Sequence, residues 1–276
     1  MKATATAHPI QGLVKYHGMR DPELRMPFHD SISVCTADSR TTTTVEFDAD
    51  HDDTYIIDGE VVDGRGAERI DDVVDHARTL ADIDTPVRVE SENSFPTNIG
   101  FGSSASGFAA LAMALSEAAG LDLTRPDVST IARRGSASAA RAVTGAFSHL
   151  RTGANDEDCR SERIETPLED DLRVIGAMVP SYKETEAAHK EAAESHMFES
   201  RMAHIHGQIA NMRDALRSGE FDRAFELAEH DSLSLAATTM TGPAGWVYWQ
   251  PLTIEVFNTV RELREEGVTV YFSVDT

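Results

Sequence analysis

Lysine is scarce in this sequence of 276 residues. It occurs only at Lys2, Lys15, Lys183 and Lys190, whereas Asp and Glu together number 47 and the formal net charge is −22. Such an acidic chain repels nucleic acids and anionic membranes, so neither is expected as a partner. A surface rich in carboxylates and poor in lysine is typical of proteins kept in solution at high salt, and indicates a halophilic cytoplasm. The few lysines that remain are therefore candidates for a function.

Cysteine and long apolar runs are also nearly absent. Cys35 and Cys159 do not make a disulfide framework, and reduced thiols in a cytoplasmic protein are the default. No run of about 18 apolar residues occurs, so no membrane span is predicted. The N-terminus lacks the apolar stretch of a secretory signal. We expect a cytoplasmic protein with an ordinary buried core.

The periodicity of apolar residues predicts strands and helices in mixed order, which is typical of an α+β fold. A polar stretch at 155–171 is predicted as a boundary loop, dividing the chain into domains 1–172 and 173–276. The predicted strands are 43–47, 55–57 with a hairpin partner after Gly59, a segment near 145–150, 174–179 and 268–274. The predicted helices are 67–83, one after Ser103, one before Gly135, 185–217, 221–238 and 252–265.

A Gly/Ser loop precedes the second of these helices, in the stretch P-T-N-I-G-F-G-S-S-A-S-G at 96–107. A helix start offers free backbone N–H groups and a positive dipole end. Gly100 and Gly102 let a backbone approach an anion closely, and Ser103, Ser104 and Ser106 add hydroxyl donors. The loop therefore predicts a polyphosphate site, with an ordinary serine cap on a core helix as the alternative. No Lys follows its second Gly, so it is not a Walker loop.

Three further segments accompany this loop in order along the chain. They are L-V-K-Y-H-G at 13–18, R-R-G-S-A-S-A-A-R at 133–141 and F-S-V-D at 272–275. Together with P-T-x-x-G-x-x-S-S-A-x-G-F-A-A-L they resemble the mevalonate-diphosphate-type decarboxylases of the GHMP kinase superfamily, over essentially the whole chain.

The resemblance implies a two-lobed GHMP kinase fold, with an N-terminal lobe like ribosomal S5 domain 2 and a ferredoxin-like C-terminal lobe. It also implies a reaction in which ATP, with Mg²⁺, phosphorylates the C3 hydroxyl of a phosphorylated mevalonate, after which phosphate and carbon dioxide leave. The family precedent for assembly is a homodimer. Family members continue past the final Asp, whereas this sequence ends at Thr276, so we expect either that its C-terminal end is missing or that the protein manages without that closing segment.

The resemblance assigns the proton-handling carboxylate to Asp275 and the cation beside it to Lys15. A tertiary alcohol needs such a carboxylate to orient it or accept its proton. The lysine would hold Asp275 ionised and neutralise the transferred phosphoryl group. Without the other segments, Asp275 reads as an Asp that ends a strand.

The resemblance gives the remaining roles to small and basic residues. Ser104, with Gly102, Ser103 and Ala105, would cradle the ATP phosphates. Arg141 would bind the substrate carboxylate through its planar guanidinium group. The alternative role for Arg141 is an ion pair on the helix surface. Substrate contacts would come from Tyr16, Ser136 and Ser138, which are otherwise residues of close packing.

Departures from the family pattern concern the phosphate end of the substrate. The Asn of the family's first motif is replaced by Ile10, or by Gln11 if the register slips, and a Lys is replaced by Met19. Losing an amide and an ammonium argues for one phosphate fewer. Lys183 either meets that monophosphate or pairs with a surface Glu.

These departures predict an enzyme that converts mevalonate 5-phosphate into isopentenyl phosphate, of the kind that halophilic archaea use. The alternatives are a decarboxylase of the diphosphate, a GHMP small-molecule kinase that keeps its phosphorylated product, and a nucleotide-binding module without turnover. The carboxylate clamp at Arg141 favours a decarboxylase over a kinase.

Overall fold

A computed structural model describes residues 1–48, 50, 52–96, 102–179 and 191–274 of the chain. It divides into two compact units, each assembled from several segments. Unit 1 contains Met1–Gln11, Asp21–Met26 and Val34–Arg163, and unit 2 contains Gly12–Arg20, Pro27–Ser33 and Ile164–Thr276. The long break falls at 163/164, close to the predicted boundary at 172. Residues 12–20 and 27–33, however, belong to unit 2, so Lys15 does not fold with most of the predicted domain 1–172.

The structure has strands throughout its first 163 residues and mainly helices thereafter. The strands are β1 Lys2–Ala7, β2 Ile10–Val14, β3 Met19–Asp21, β4 Met26–Pro27, β5 Ser31–Cys35, β6 Thr41–Phe47, β7 Thr54–Ile57, β8 Glu60–Val61, β9 Val87–Asn93, β10 Phe147–Leu150 and β11 Ser161–Arg163. The helices are α1 Gly64–Ala81, α2 Ser103–Ala118, α3 Arg125–Gly135, α4 Ala137–Thr144, α5 Phe198–Ser218, α6 Phe221–Met240 and α7 Pro251–Glu265, with a 3₁₀ turn at Ala192–Glu194.

The main sheet of unit 1 has the order β1-β6-β9-β7-β8. Along β6 the residues alternate between buried and half-buried positions. On one face the threonine hydroxyls pair with those of antiparallel β1, as in the Thr4–Thr44 contact of 2.9 Å. On the other face Val45 and Phe47 enter the core. This period-2 pattern is why the sequence predicted a strand here, and the prediction is confirmed.

Helix α2 forms the centre of the unit 1 core. It packs against β1 and β6 on one side and against α3 and α4 on the other. Its small and apolar residues Ala109, Ala112 and Leu115 are fully buried. Because both sides of α2 are covered, small side chains dominate it and allow the neighbouring helices to approach. The N-terminus of α2 is thereby fixed in position within unit 1.

In unit 2, α5 packs against α6. The buried stripe of α5 contains Ile205, Ile209 and Met212 at spacings of four and three residues, as an amphipathic helix requires. The helices predicted at 221–238 and 252–265 are confirmed as α6 and α7. The hairpin turn at Gly59 and the strand near 145–150 are confirmed as well.

Three predicted elements of the second half are wrong. Residues 174–179 and 268–274 form no strand in the described structure, and Ile175 is 90% exposed. A strand needs a neighbour for its N–H and C=O groups, and between 164 and 274 the described residues contain none. Of the helix predicted at 185–217, residues 185–190 lie outside the described residues; Glu191 is helical, and the helix is then interrupted before Phe198, because Ser195 is extended and its hydroxyl accepts from the Met197 N–H at 3.1 Å.

The structure describes no helix that is both long enough and apolar enough to cross a membrane.

Candidate active site

The N-terminus of α2 has the geometry of an anion site. Gly102 is the N-cap, with φ 77° in the left-handed region. The first helical hydrogen bonds are donated by the N–H groups of Ala105 and Ser106 to the Gly102 carbonyl, at 2.9 and 3.3 Å. The amides of Ser103 and Ser104 precede these bonds, and the Ser104 side chain is exposed. This end of α2 therefore presents donors and the positive end of the helix dipole.

Two residues of the predicted phosphate loop, Ala105 and Ser106, pack in the interior of unit 1. The Ala105 and Ser106 side chains are buried. The Ser106 hydroxyl lies 2.6 Å from the Thr41 hydroxyl of β6 and 3.3 Å from the Ser103 carbonyl. Ser106 thus anchors the first turn of α2 to the sheet, and we leave its hydroxyl out of the proposed anion site.

A cavity of about 340 Å³ lies beside the same helix end, within unit 1. It is bounded by the first turns of α2, by strands β6, β7 and β9, and by α1. Its walls combine apolar and polar groups, as small-molecule sites commonly do. Among the residues that line it are Ser103, Ser104, Phe108, Arg69, Tyr55 and Asn93. A ligand in this cavity could reach the backbone amides of Ser103 and Ser104 at the start of α2.

Gly135, in the arginine-rich segment, allows the end of α3 to pack closely against Phe108 near the start of α2. A Cβ at Gly135 would lie 2.1 Å from Cδ1 of Phe108, so only glycine allows α3 to end against that ring. The Gly135 carbonyl accepts from Arg69 Nη2 at 2.6 Å, and the Arg69 guanidinium stands 4.8 Å from the Phe108 ring centroid. This cation–π contact forms one wall of the cavity.

Replacing Gly135 by Ala is expected to push Phe108 into the cavity, because the added methyl group overlaps the ring. Overpacking of this kind costs about 1–3 kcal/mol of stability. We expect a lower melting temperature together with weaker nucleotide binding, measured by calorimetry with Mg-ATP. Gly207→Ala on α5 is the control, because a Cβ at Gly207 meets no atom within 4 Å and Gly207 does not line the cavity. Equal nucleotide affinity in both variants would contradict the assignment of this wall.

The start of the arginine-rich segment is structural. Arg133 is fully buried and its guanidinium contacts the Asp156 carboxylate and the Cys159 carbonyl, the latter at 3.0 Å. Arg134 Nη2 reaches the other Asp156 oxygen at 2.5 Å. Burial alone would raise the pKa of Asp156, but these two guanidinium groups outweigh it and hold the pKa below its ordinary range. The network ties α3 to the 151–160 loop.

Arg141 lies on α4, the short helix that Ser136 begins. Its side chain is 4% exposed, so a ligand that met it would be largely shielded from water. The Ser136 and Ser138 hydroxyls lie 2.8 Å apart at the start of the same helix. Burial raises the pKa of the nearby Cys35 thiol to about 11, with the charge of Arg141 opposing it, so Cys35 stays protonated at neutral pH. The structure thus brings all three predicted substrate residues of this segment to one helix.

In unit 2, Lys15 follows the end of β2 and is 6% exposed. Its N–H donates to Asp231 Oδ2 at 2.7 Å, and its carbonyl accepts from Arg201 Nη2 at 2.6 Å. A Cβ at Gly12 would lie 2.8 Å from Lys15 Cγ and 3.2 Å from Nζ, so glycine leaves room for the lysine side chain to lie back along β2. Tyr16 is half-buried beside it.

Helix α6 also holds the segment that leads to Asp275. The Phe272 N–H donates to Glu229 Oε2 at 3.2 Å. The Val274 N–H donates to Ser232 Oγ at 2.8 Å, and that hydroxyl lies 3.1 Å from the Val274 carbonyl. Side chains of α6, rather than a neighbouring strand, thus bind backbone groups of Phe272 and Val274 in the segment where the sequence predicted a strand.

Three predicted site residues, Gly100, Lys183 and Asp275, lie outside the described residues. Sequence reasoning missed Arg69, Arg201 and Asp231. The last two carried a readable signal, because Asp231 occupies a position on the buried stripe of α6 with Ala224, Ala228 and Leu235, and Arg201 does so on α5. A charge on an apolar stripe is rarely buried without a partner. Arg69 gave no such signal, since its place depends on tertiary packing.

Potential metal-ligating side chains do not come together in groups of three or more in the described segments. A magnesium ion that accompanies a nucleotide keeps several waters and is bound chiefly by phosphates, with one or two carboxylates. An anion site such as the start of α2 is compatible with binding of this kind.

Comparison with known proteins gives consistent relatives. The model of the diphosphomevalonate decarboxylase-like N-terminal domain matches residues 7–161. A phosphomevalonate decarboxylase of Haloferax volcanii is 78% identical, covering all of this chain and 86% of that protein. A diphosphomevalonate decarboxylase of Aspergillus fumigatus is 30% identical, and the match covers 91% of this chain and 67% of that protein.

Solved structures match the whole chain as well. The mevalonate diphosphate decarboxylase of Staphylococcus aureus has a TM-score of 0.91 at 32% identity, covering 100% of this chain and 86% of that one. MDDEF in complex with MVAPP, AMPPCP and magnesium has a TM-score of 0.90 at 30% identity, with the same coverage. The α+β class and the GHMP kinase fold implied by the sequence resemblance are confirmed. The chain belongs to the diphosphomevalonate decarboxylase-like family.

Proposed function

We propose that this protein catalyses the ATP-dependent decarboxylation of mevalonate 5-phosphate to isopentenyl phosphate, with release of ADP, phosphate and carbon dioxide. The observation that carries the proposal is the 78% identity, over the whole chain, to a protein named phosphomevalonate decarboxylase. Relatives named for the diphosphate are about 30% identical. The high-salt adaptation read from the composition agrees with the haloarchaeal source of the first relative.

The nucleotide half of the reaction belongs to the start of α2 and its adjoining cavity. The amides of Ser103 and Ser104 and the exposed Ser104 hydroxyl would hold the phosphates, with Gly102 giving close backbone approach. The 340 Å³ cavity would take the nucleoside. Mg²⁺ would neutralise the phosphate oxygens, as phosphoryl transfer requires. The ATP analogue and magnesium bound in a structure 30% identical to this chain support the same pair here.

The carboxylate half of the reaction belongs to Arg141. A planar guanidinium binds a carboxylate through two parallel hydrogen bonds, and the shielding of Arg141 strengthens such a contact. Ser136 and Ser138, at the start of the same helix, would donate further hydrogen bonds to the substrate. Holding the carboxylate in one orientation aligns its C–C bond for cleavage.

Asp275 and Lys15 would act on the C3 hydroxyl group and on the phosphoryl group that it receives. Asp275 would orient the C3 hydroxyl or accept its proton while the phosphoryl group transfers to that oxygen. The C3–O bond then breaks, phosphate departs with its electron pair, and loss of carbon dioxide supplies the electrons of the new double bond. The Lys15 ammonium would neutralise the phosphoryl group and keep Asp275 ionised. Tyr16 would contact the substrate beside them.

The preference for one phosphate rests on residues that cannot bind a second. Ile10 is 8% exposed and packs in the apolar core of unit 1, so it offers no replacement for the family's amide. Met19 replaces a cation that would attract a phosphate. Lys183 is proposed to meet the single phosphate that remains. Each hydrogen bond to a charged phosphate is worth about 1.5–3 kcal/mol, so two lost donors matter.

We further propose a homodimer, on the family precedent, and a cytoplasmic location. The location follows from the near absence of cysteine and from the halophilic composition. Size-exclusion chromatography with light scattering in molar potassium chloride measures the first directly: a mass near twice 30.1 kDa is expected.

The stoichiometry of products tests the reaction class. Purified protein with Mg-ATP and mevalonate 5-phosphate labelled at the carboxyl carbon should release carbon dioxide, ADP and inorganic phosphate in equal amounts. A small-molecule kinase would form ADP with neither carbon dioxide nor free phosphate. A nucleotide-binding module would gain thermal stability with Mg-ATP and form no product. Either result would contradict the proposal.

A further inference from the structure

A buried ion pair in unit 2 has no part in the chemistry described so far. Arg201 on α5 and Asp231 on α6 are 3% and 1% exposed, with Arg201 Nη2 and Asp231 Oδ1 3.0 Å apart. Removing two charges from water costs several kcal/mol per ion, and apolar residues of similar size often serve stability as well or better. The pair therefore calls for an explanation beyond the packing of α5 on α6.

Both side chains of the pair form hydrogen bonds with the backbone of one residue, Lys15. Asp231 uses its second oxygen, Oδ2, to accept the Lys15 N–H at 2.7 Å, and Arg201 Nη2 donates to the Lys15 carbonyl at 2.6 Å. Lys15 lies one residue past the end of β2. Both main-chain groups of this single residue are thus held by one ion pair. Hydrogen bonds in which one partner is ionised are shorter and stronger than neutral ones, so these two bonds hold the Lys15 backbone firmly.

The Arg201–Asp231 pair, called the clamp in this subsection, is itself held in place by a further hydrogen bond. Arg201 Nη1 donates to the Ser234 hydroxyl at 2.9 Å, which fixes the plane of the guanidinium. His29, close to Arg201, has its pKa lowered to about 4, by burial first and then by the charge of Arg201, so it adds no charge at neutral pH. With Gly12 leaving space for the lysine chain, the backbone of Lys15 and the route of its side chain are both determined.

We propose that Arg201 and Asp231 are positioning residues for the reaction, which act by fixing the backbone of Lys15 and hence the location of its ammonium group. The inference rests on the proposed function, in which that ammonium meets the transferred phosphoryl group. An ammonium on a long flexible side chain gains most from a fixed backbone, because a displacement of 1 Å at the reacting atoms can cost about 100-fold in rate.

The first test is Asp231→Asn, which keeps the size of the side chain and one oxygen acceptor but removes the charge. We expect kcat with Mg-ATP and mevalonate 5-phosphate to fall about 100-fold, while KM for ATP changes less than about twofold, since the anion site lies on α2. A loss of kcat that merely follows the loss of folded protein would overturn the proposal.

The matched control is Asp53→Asn in unit 1. Asp53 pairs with Arg78 at 2.6 Å and accepts the Val87 N–H at 2.7 Å, and Arg78 donates to the Thr85 carbonyl at 2.8 Å. This carboxylate–guanidinium pair also holds backbone groups, at the start of β9, although it is more exposed than the pair in unit 2. None of its residues has a proposed role in the reaction. We expect Asp53→Asn to lower the melting temperature and leave kcat within about twofold of wild type. An equal loss of kcat in both variants would overturn the proposal.

Amide exchange reports on the clamp without using activity. With ¹⁵N-lysine the chain gives only four labelled backbone amides, and Lys15→Met identifies the one in question by its disappearance. We expect the Lys15 amide to be strongly protected in the wild type and to exchange at least tenfold faster in Asp231→Asn, while Asp53→Asn leaves it unchanged. Unchanged protection in Asp231→Asn would overturn the proposal.

A second variant serves if Asp231→Asn does not fold. Arg201→Lys keeps the charge and one donor but loses the fork that joins the Lys15 carbonyl to Asp231 and Ser234. An intermediate, roughly tenfold loss of kcat with faster Lys15 amide exchange supports the clamp, and wild-type values of both contradict it. If Lys15→Met itself keeps wild-type kcat, the proposed role of Lys15 fails, whereas the exchange data still report whether the clamp exists.

Discussion

Replacing Lys15 by Met is expected to lower kcat by about 10²–10³-fold, the range seen when one group that stabilises transition-state charge is removed. The substitution keeps an unbranched chain of similar length in a position that is 6% exposed, so packing changes little. Only the ammonium is lost. Because the anion site belongs to unit 1, KM for ATP should stay within about threefold of the wild type.

The control for this prediction is Lys2→Met, a second lysine-to-methionine change. The Lys2 side chain is 59% exposed and makes a surface ion pair with Glu46 at 3.0 Å. Surface pairs of this kind contribute little, so its kcat should match the wild type. Both variants would be measured in molar potassium chloride with saturating Mg-ATP. A Lys15→Met enzyme with more than about a tenth of wild-type kcat would remove Lys15 from the chemistry.

Replacing Arg141 by Ala is expected to lower kcat/KM for the phosphorylated mevalonate by about 10²–10³-fold. A guanidinium that grips a carboxylate in a shielded site contributes through charge-assisted hydrogen bonds, each worth about 1.5–3 kcal/mol. The affinity for Mg-ATP, measured by calorimetry without the second substrate, should remain within about threefold of the wild type. Arg141→Lys should recover only part of the loss, because an ammonium cannot make the bidentate contact.

The measurement separates a site effect from a folding effect. Arg160→Ala is the control, since Arg160 is exposed and pairs with Asp127 at 3.4 Å on the surface. It should have wild-type kinetics. If Arg141→Ala lost nucleotide affinity and turnover in the same proportion, the residue would be structural and the carboxylate clamp would have to lie elsewhere.

Local patterns predicted much of the fold. The alternation of β6, the hairpin at Gly59 and the amphipathic helices α6 and α7 all depend on the periodicity of neighbouring residues, and all are found near the predicted bounds. The start of α2 was predictable for the same reason, since Gly and Ser residues before an apolar helix carry their conformational preferences locally.

What could not be predicted depends on distant partners. The apolar runs at 174–179 and 268–274 have the composition of strands, but a strand forms only where another strand pairs with it. The bond between Ser232 and Val274 joins residues 42 positions apart, and the Asp231–Lys15 bond joins residues 216 positions apart. Gly135 is similar, because its motif gives no hint that the Phe108 ring occupies the space of its missing methyl group.

The membership of units 1 and 2 shows the same limit. A sequence division must cut the chain at one place, whereas residues 12–20 and 27–33 join unit 2 through contacts that composition does not reveal. The consequence for the site is that Lys15 and the segment leading to Asp275 both lie in unit 2, and that one helix, α6, bonds to the backbone of each.

The most direct test of the central claim compares two substrates under one condition. The purified protein in molar potassium chloride with Mg-ATP would be given mevalonate 5-phosphate and mevalonate 5-diphosphate separately, and release of carbon dioxide and phosphate would be followed. We expect kcat/KM for the monophosphate to exceed that for the diphosphate by at least about 100-fold, since two phosphate donors are replaced by Ile10 and Met19. A preference for the diphosphate would contradict the account.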